Sequence, residues 1–293
     1  SWRRYSYGNF TGIRIMGVFQ NNLLAGAAAA ASAGGAGFYD YQIEQSMRFD
    51  RDINDALTRT PSSAGNRRTF TISFWLKRAE TDQFQTAMLQ SDDASTVNRT
   101  SSINFLTEGN GTGNEGIISF GINGGLEAVQ YTEGRYKNTN GWMHLVHRVD
   151  TTQSTNTNRT RTYINGSLIS YGNEPGTTTY PSQNYQTGFC STTQIVVGGN
   201  TNANFDYPVA GYMAEVILAD GYSYDADYFG ETKNGVWIPK DYLTETGNYG
   251  TTGFHLKFEN ASDLGNDSSG NNNDFSTSAG ADHQVLDSPT FGS

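Results

Sequence analysis

Three kinds of side chain in this sequence could do chemistry, and their spacing decides which of them can. Paired carboxylates are the apparatus of glycoside hydrolysis, one acting as acid and the other as base or nucleophile. The nearest acid groupings are Glu215 with Asp220 and Asp225 with Asp227, and neither has the spacing of a catalytic pair on one strand face. Asp225 and Asp227 are more simply read as acids near the start of a short helix, where the backbone dipole favours them. No enzymatic activity is expected. His144 and His147 suggest a metal site, but residues three apart on a strand point to opposite faces and cannot share one ion. Both are read as hydrogen-bonded scaffold. His255 and His283 lie in no ligand pattern, and Cys190 is the only cysteine. It is read as a small buried residue, and no intrachain disulfide can form.

Two loop chemistries remain. The stretch 263–274 carries Asp263, Asp267 and Asp274 among Ser, Gly and Asn. Calcium takes oxygen ligands of this kind, and it is the one cofactor the chemistry would suit. Metal ligands stay unassigned, because the loop lacks EF-hand order and Asx-turns account for such composition. Sugar recognition needs aromatic faces beside amide and carboxylate partners. Tyr180, Asn184, Tyr185, Gln186 and Phe189 form the preferred carbohydrate-binding cluster. Asn202, Asn204, Asp206 and Tyr207 form a second. The competing reading is that these tyrosines cap sheet edges, with only the hydroxyl in water.

The elements that would position these loops are strands. Residues 141–150 are apolar on both pleat faces, with Trp142 and Val146 on one and Met143, Leu145 and Val149 on the other. A strand that buries both faces lies inside a sandwich. Asn165-Gly166 marks a hairpin turn that requires positive φ. In residues 70–77, Phe70, Ile72, Phe74 and Leu76 alternate inward, with Thr71, Ser73 and Lys77 outward. Trp75 falls on the polar parity, where it would cover a sheet edge or line a groove. Further runs fall at 85–90, 102–107, 116–122, 126–131, 160–172, 194–198, 207–219 and 253–258. About a dozen strands separated by Gly, Asn, Thr and Ser clusters predict two packed antiparallel sheets. One short helix is expected at 224–231, with Ser223 as its N-cap.

Only 16% of residues are charged, and the net charge is −10. An acidic surface repels phosphate backbones, so nucleic acid is not an expected partner. Residues 1–40 form a small-residue N-terminal arm, rich in Ala and Gly at 25–37. Its glutamine, asparagines and glycines argue against a membrane span. An arm ordering against partner subunits is preferred to a signal peptide spanning 16–36. Met16-Gly17-Val18-Phe19 reads as a natural start, with residues 1–15 upstream of it. Residues 41–232 are taken as the β-sandwich. Residues 233–293 are taken as a polar C-terminal extension, a linker leading toward a further domain, with 263–274 too polar to pack.

Phe70 to Lys77, Gly141 to Asp150, Tyr163-Ile164-Asn165-Gly166, and Val197-Gly198-Gly199 followed by Gly211 to Val216 resemble four strand motifs of concanavalin A-like, laminin G-like domains, in that family's order. The resemblance covers roughly residues 43–232 and implies an all-β jelly-roll sandwich of two antiparallel sheets. It also implies a structural role for His144. Glucanases of this fold carry an E-x-D-x-x-E run, which this sequence lacks. A narrower resemblance, to tail-fibre and other virion proteins of marine tailed bacteriophages, rests on Thr58 to Thr71, Pro239-Lys240-Asp241-Tyr242, Phe254 to Phe258 and Asp267 to Asn271. It implies a non-enzymatic virion protein that presents the sandwich to host-surface glycans. Other virion subunits would be its partners, and the arm would hold a homo-oligomer together. The alternatives are a purely structural virion module and a secreted lectin or glucan-binding protein. The reading of Met16 as the start predicts a native N-terminus at Met16 or Gly17 by mass spectrometry. A native peptide spanning Arg14 to Phe19 would rule that out.

Overall fold

A computed structural model describes residues 37–53, 55–91, 100–107, 113–199, 207–277 and 283–291. The chain divides into two units, Ser1–Asp40 and Tyr41–Ser293. Only residues 37–40 of the first are described, so the Ala- and Gly-rich arm lies almost wholly outside the described residues. No helix among the described residues is long and apolar enough to cross a membrane.

The second unit is built from strands. In chain order they begin with β1 (Ser46–Phe49), β2 (Leu57–Arg59), β3 (Thr69–Arg78), β4 (Gln85–Ser91), β5 (Thr100–Phe105) and β6 (Ile118–Ile122). There follow β7 (Ala128–Thr132), β8 (Met143–Asp150), β9 (Thr160–Ile164), β10 (Ser167–Leu168), β11 (Tyr171–Gly172) and β12 (Ile195–Val197). The last are β13 (Gly211–Asp220), β14 (Gly230–Lys233), β15 (Val236–Pro239), β16 (Phe254–Leu256), β17 (Ser276–Thr277) and β18 (Gln284–Val285). One sheet runs β10-β9-β8-β3-β13-β1-β18, with β16 also paired to β13. The other runs β11-β7-β6-β5-β4-β12-β2-β17. All ladders are antiparallel. The expected sandwich of two antiparallel sheets is present.

The main core lies between the sheets. Phe70, Ile72, Phe74 and Leu76 of β3 meet Ile103, Phe105, Ile118 and Phe120 of β5 and β6 there. The parity read for β8 holds: Leu145 and Val149 enter this core with Met143 packed against it, while Val146 faces the other way. The hairpin between β9 and β10 turns at Asn165 (φ 46) and Gly166 (φ 78), as a two-residue turn of that hand requires.

The outward face of β3 departs from expectation. Thr71, Ser73 and Trp75 are all buried. A second layer covers them: Phe229, Tyr242 and Tyr249 pack on Val146 and Ile217, while Ile43 packs with Trp75 and Ala214. The sheet carrying β3 is therefore covered on both faces, and Thr71 bonds to the segment that covers it while Ser73 bonds to His144 of β8. Thr71 Oγ1 donates to Tyr222 O at 2.9 Å.

The same layer removes the boundary placed near residue 232. β16 joins β13, β17 joins β2 and β18 joins β1, so residues 233–293 put strands into both sheets. The loop expected to be too polar to pack is anchored in the fold: Leu264, Asp267 and Asn273 are buried, while Asp263, Asn266, Asn271, Asn272 and Asp274 stay exposed. The carboxylate of Asp267 accepts from the backbone N–H groups of His255 (2.8 Å), Ser269 (2.9 Å) and Asn273 (2.9 Å). Composition marked the loop as polar, but its polar atoms are spent on one another and on the backbone. The helix expected at 224–231 is also replaced. A 3-10 turn covers Ala226–Tyr228, and Asp225 rather than Ser223 precedes it. β14 then takes residues from Gly230.

β13 holds the two layers in register through a bulge. Ala214 pairs with Trp75 and Ile217 with Ser73, so β13 has an extra residue between them. Glu215 sits there at φ 50. Without the extra residue the alternation would turn Val216 and Leu218 away from the main core; with it both enter. Below the bulge β13 pairs with β1, and above it with β16.

Tyr242, Tyr249, Phe254, Leu256, Phe258, Leu264 and Phe275 are buried side chains supplied from beyond residue 232. Burying each contributes about 1.5–3 kcal/mol. Their sum is comparable to the whole stability of a domain, about 5–15 kcal/mol. A chain ending at residue 232 is therefore predicted to be insoluble or to lack a cooperative melt by circular dichroism. A soluble 41–232 fragment that melts cooperatively would show that the boundary is real.

Candidate functional site

The acids come first, because they decide whether catalysis has any apparatus. Glu215 is buried at the bulge, and its Oε2 lies 2.6 Å from Nε2 of His255. Its Oε1 accepts from the Tyr41 hydroxyl at 3.1 Å. The other nitrogen of His255 meets the Tyr249 hydroxyl at 2.8 Å. Burial, with the Glu215 charge beside it, pushes the Tyr41 hydroxyl well above its usual range. This Tyr-Glu-His-Tyr chain has the partners of a catalytic relay, but it joins β1's leading segment, β13 and β16 inside the molecule.

Asp220 is likewise structural. It accepts from the backbone N–H of Asn66 at 2.6 Å and of Thr252 at 2.9 Å. The approach is so close that a Cβ on Gly65 would lie 2.2 Å from its Oδ2, so only glycine fits there. Asp225 accepts from the Tyr163 hydroxyl and pairs with Arg148 at 3.2 Å. Glu215, Asp220 and Asp225 are therefore engaged with their own scaffold, while Asp227 is exposed. Among the described residues no group of three or more His, Cys, Asp or Glu side chains could hold a metal ion.

The histidines occupy opposite faces, as the strand period predicts. Trp237 Nε1, which can only donate, reaches His144 Nδ1 at 3.0 Å. The proton of His144 must therefore sit on Nε2, which donates to Ser73 Oγ at 2.9 Å. Trp75 stacks on the same ring, with centroids 4.6 Å apart. His147 lies on the core side, stacked on Phe120 at 4.4 Å and bonded to Thr162 Oγ1 at 2.8 Å. Cys190 is a free, buried thiol that burial holds protonated.

Tyr207, the one described member of the second cluster, does not meet the first cluster. β3 pairs with β8 from Thr69↔Asp150 to Leu76↔Met143. Its ten residues separate the two ends of the sandwich by about 30 Å. Residues 180–189 lie at the Thr69 end, where Asn184 N donates to Thr151 O at 2.8 Å and Arg68 Nε donates to Asn184 O at 2.9 Å. Asn184 and Gln186 are exposed there, and Tyr185 is half-buried. Tyr180 is half-buried with its ring edge-on to Tyr171 at 6.2 Å. Phe189 is not a surface aromatic at all. It is buried against Phe70 at 5.7 Å, in the main core, because the loop turns inward to plug the end of the sandwich. Tyr207 lies at the opposite end, against Phe84 at 4.6 Å, with its carbonyl accepting from Thr86 N. Asn202, Asn204 and Asp206 fall outside the described residues.

Two surfaces escaped the sequence reading. Tyr222, Tyr224 and Tyr228 form a stack beyond the end of β13, with centroids 5.4 Å apart for the first pair and 4.2 Å for the second. Tyr222 and Tyr228 are each 36% exposed. Asn248 Nδ2 donates to the Tyr224 hydroxyl at 3.2 Å, holding the middle ring. Gly221 N bonds to Thr69 O, so the stack shares an end of the sandwich with residues 180–189. The spacing Tyr-x-Tyr-x-x-x-Tyr is visible in the sequence, but the helix expected at 224–231 takes in only Tyr224 and Tyr228.

The second surface is a cleft of about 420 Å³ at the other end, lined by Arg78, Arg135, Tyr136, Lys137, Asn138 and Trp142 over Leu76, Met143 and Ile164.

Two stacked antiparallel sheets with loops gathered at both ends define the jelly-roll sandwich class. The chain belongs to the concanavalin A-like lectin/glucanases superfamily, whose family model matches residues 52–221. A search among curated proteins finds no match. Among solved structures the chain is similar to a candidate carbohydrate-binding protein from Bacteroides ovatus, at 14% identity and a TM-score of 0.52. That match covers 82% of this chain and 59% of the other, so this chain spans well under two thirds of its relative. It is also similar to domains LG4-5 of mouse laminin alpha1, at 9% identity, TM-score 0.39, covering 64% of this chain and 46% of that one. A heptameric SAP-like pentraxin from Limulus polyphemus gives 13% identity, TM-score 0.40, and 61% and 77% coverage. At these identities the likeness concerns the fold alone.

Burial sets a pH dependence. It lowers both His144 and His147 from 6.5 to about 3. The unfolded chain thus binds protons near pH 6.5 that the folded chain refuses. Stability from this source is complete above that pH and falls as pH drops toward 3, by about 1.4 kcal/mol per unit for each ring. Urea midpoints are predicted to drop between pH 7 and pH 5, with a shallower drop in His147→Gln. Equal slopes in the two proteins would refute the assignment for His147.

Proposed function

We propose that this protein is a non-catalytic glycan-binding component of a phage virion, a tail fibre or appendage, attaching to host-surface sugars. The observation that carries the glycan reading is the exposed stack of Tyr222, Tyr224 and Tyr228. Outward ring faces pack against the C–H faces of a pyranose, and nearby hydroxyl and amide groups take its hydroxyls. Asn184 and Gln186 are exposed at the same end and supply amides of that kind. Family membership favours the reading, since sugar binding recurs on this fold, although a fold alone does not assign a function. The non-catalytic part rests on Glu215, Asp220 and Asp225, whose carboxylates are engaged in structural bonds. The virion part rests on the sequence resemblance to marine phage tail proteins, and proteomics of purified particles tests it.

A glycan array tests the rest. Binding to at least one bacterial surface polysaccharide is expected, weakened about tenfold or more in a Tyr222→Ala, Tyr228→Ala double variant, since each stacked ring contributes about 0.5–1.5 kcal/mol. No array signal from folded protein would end the glycan reading. Release of reducing sugar from a bound polysaccharide, abolished by Glu215→Gln, would end the non-catalytic one.

A further inference from the structure

The cleft at the Arg78 end has no role in the tyrosine-stack reading, and its chemistry differs. Its polar lining is cationic and amide: Arg78, Arg135 and Lys137, with Asn138 and Asn165, and no acidic side chain. That is unusual in a chain of net charge −10. Two of the cations have external partners. Lys137 Nζ lies 2.6 Å from Glu115, and Arg135 lies 3.4 Å from Glu174, whose side chain is 80% exposed.

Arg78 is different. It is 3% exposed, and its guanidinium lies over the Phe105 ring at 4.7 Å. One terminal nitrogen donates to Tyr136 O, while the other, Nη1, is buried and has no hydrogen-bond partner among the described residues. A charged donor withdrawn from water without an acceptor is costly, and such groups in folded proteins call for an explanation. Burial lowers its pKa to about 10, so the charge persists at neutral pH.

The walls suit a sugar. Trp142 and Tyr136 are half-buried aromatics on the rim. The Trp142 ring is held by a bond from Nε1 to Asp287 Oδ1 at 3.1 Å, and Asp287 is itself fixed by Lys77 at 2.6 Å. The volume falls within the range of about 300–1,000 Å³ usual for small-ligand sites.

We propose that this cleft binds an anionic sugar unit, a pyranose bearing a carboxylate or a sulfate. The anion would take Arg78 and Arg135, whose planar forks match such oxygens, with Lys137 as a point charge. The ring would lie against Trp142. This rests on the glycan-binding reading for ligand class but places a second site at the opposite end of the sandwich from the tyrosine stack.

The test measures binding of the full chain to polygalacturonate, dextran sulfate and neutral dextran by calorimetry at low and high salt. The variant is Arg135→Gln with Lys137→Gln, two exposed residues whose pairs contribute little to stability, and an unchanged melting temperature checks its fold. The expected result is salt-sensitive binding of at least one polyanion, weakened about tenfold or more in the variant. It is unaffected by Tyr222→Ala with Tyr228→Ala, and neutral dextran does not bind. Which polyanion binds tells carboxylate from sulfate. Polyanion binding unchanged in the Arg135 and Lys137 variant would overturn the cleft. So would binding of neither polyanion by a protein that still binds neutral sugars on the array, and that result would leave the glycan reading standing. Failure to bind any glycan would overturn both.

Discussion

The structure depends on one constraint: the sheet built around β3, β8 and β13 is buried on both faces. A sheet in that position must alternate its side chains correctly on two sides at once. The bulge at Glu215 makes this work, because one extra residue returns Val216 and Leu218 to the inner core and leaves Ile217 to the outer layer. The carboxylate left at the bulge then joins Tyr41, from 174 residues upstream, and His255, from 40 residues downstream. Buried ionisable groups survive only with partners. Glu215 and Asp220 have them, and through those bonds the two acids tie the layers together.

With the middle of the molecule committed to packing, the surfaces proposed for recognition lie at the ends. Strand β3 separates them, and each end has a different chemistry. The Thr69 end carries tyrosine faces, hydroxyls and amides. The Arg78 end carries cations around a tryptophan. Neither surface needs the sheets to move, and both are braced by bonds behind them: Asn248 on Tyr224 at one end, Asp287 on Trp142 at the other. Rigid aromatic faces of this kind lose little conformational entropy when they bind.

Much of the fold was legible because strand alternation is a local signal. The parity of residues 143–149, the turn at Asn165-Gly166 and the order of strands from 70 to 219 could all be read from residue types alone. The opposite facing of His144 and His147 followed from the same period. The errors share a cause. Thr71 and Ser73 looked outward-facing because hydroxyls normally mark solvent, yet Thr71 bonds to Tyr222 O and Ser73 to His144 of the neighbouring strand under a covering layer, and Trp75 packs on Ile43 from distant sequence. Phe189 looked like a loop aromatic, but the loop folds in as a plug. Polar composition at 263–274 suggested a segment too polar to pack, whereas the buried Asp267 gathers its neighbours' N–H groups and anchors the turn, whose outer residues stay exposed.

By itself the sequence determined the class of fold, the facing of residues along its central strands and the opposite sides taken by His144 and His147. Each of these follows from which face a side chain takes, and that is set by the two-residue period of the backbone. Only the tertiary structure decided that residues 233–293 belong to the sandwich. It alone placed Tyr207 at the opposite end from residues 180–189, engaged Glu215 and assembled the Arg78 cleft. Those outcomes depend on which segments meet across long stretches of chain. Burial and hydrogen-bond satisfaction settle such meetings collectively, and no local pattern of residue types records them.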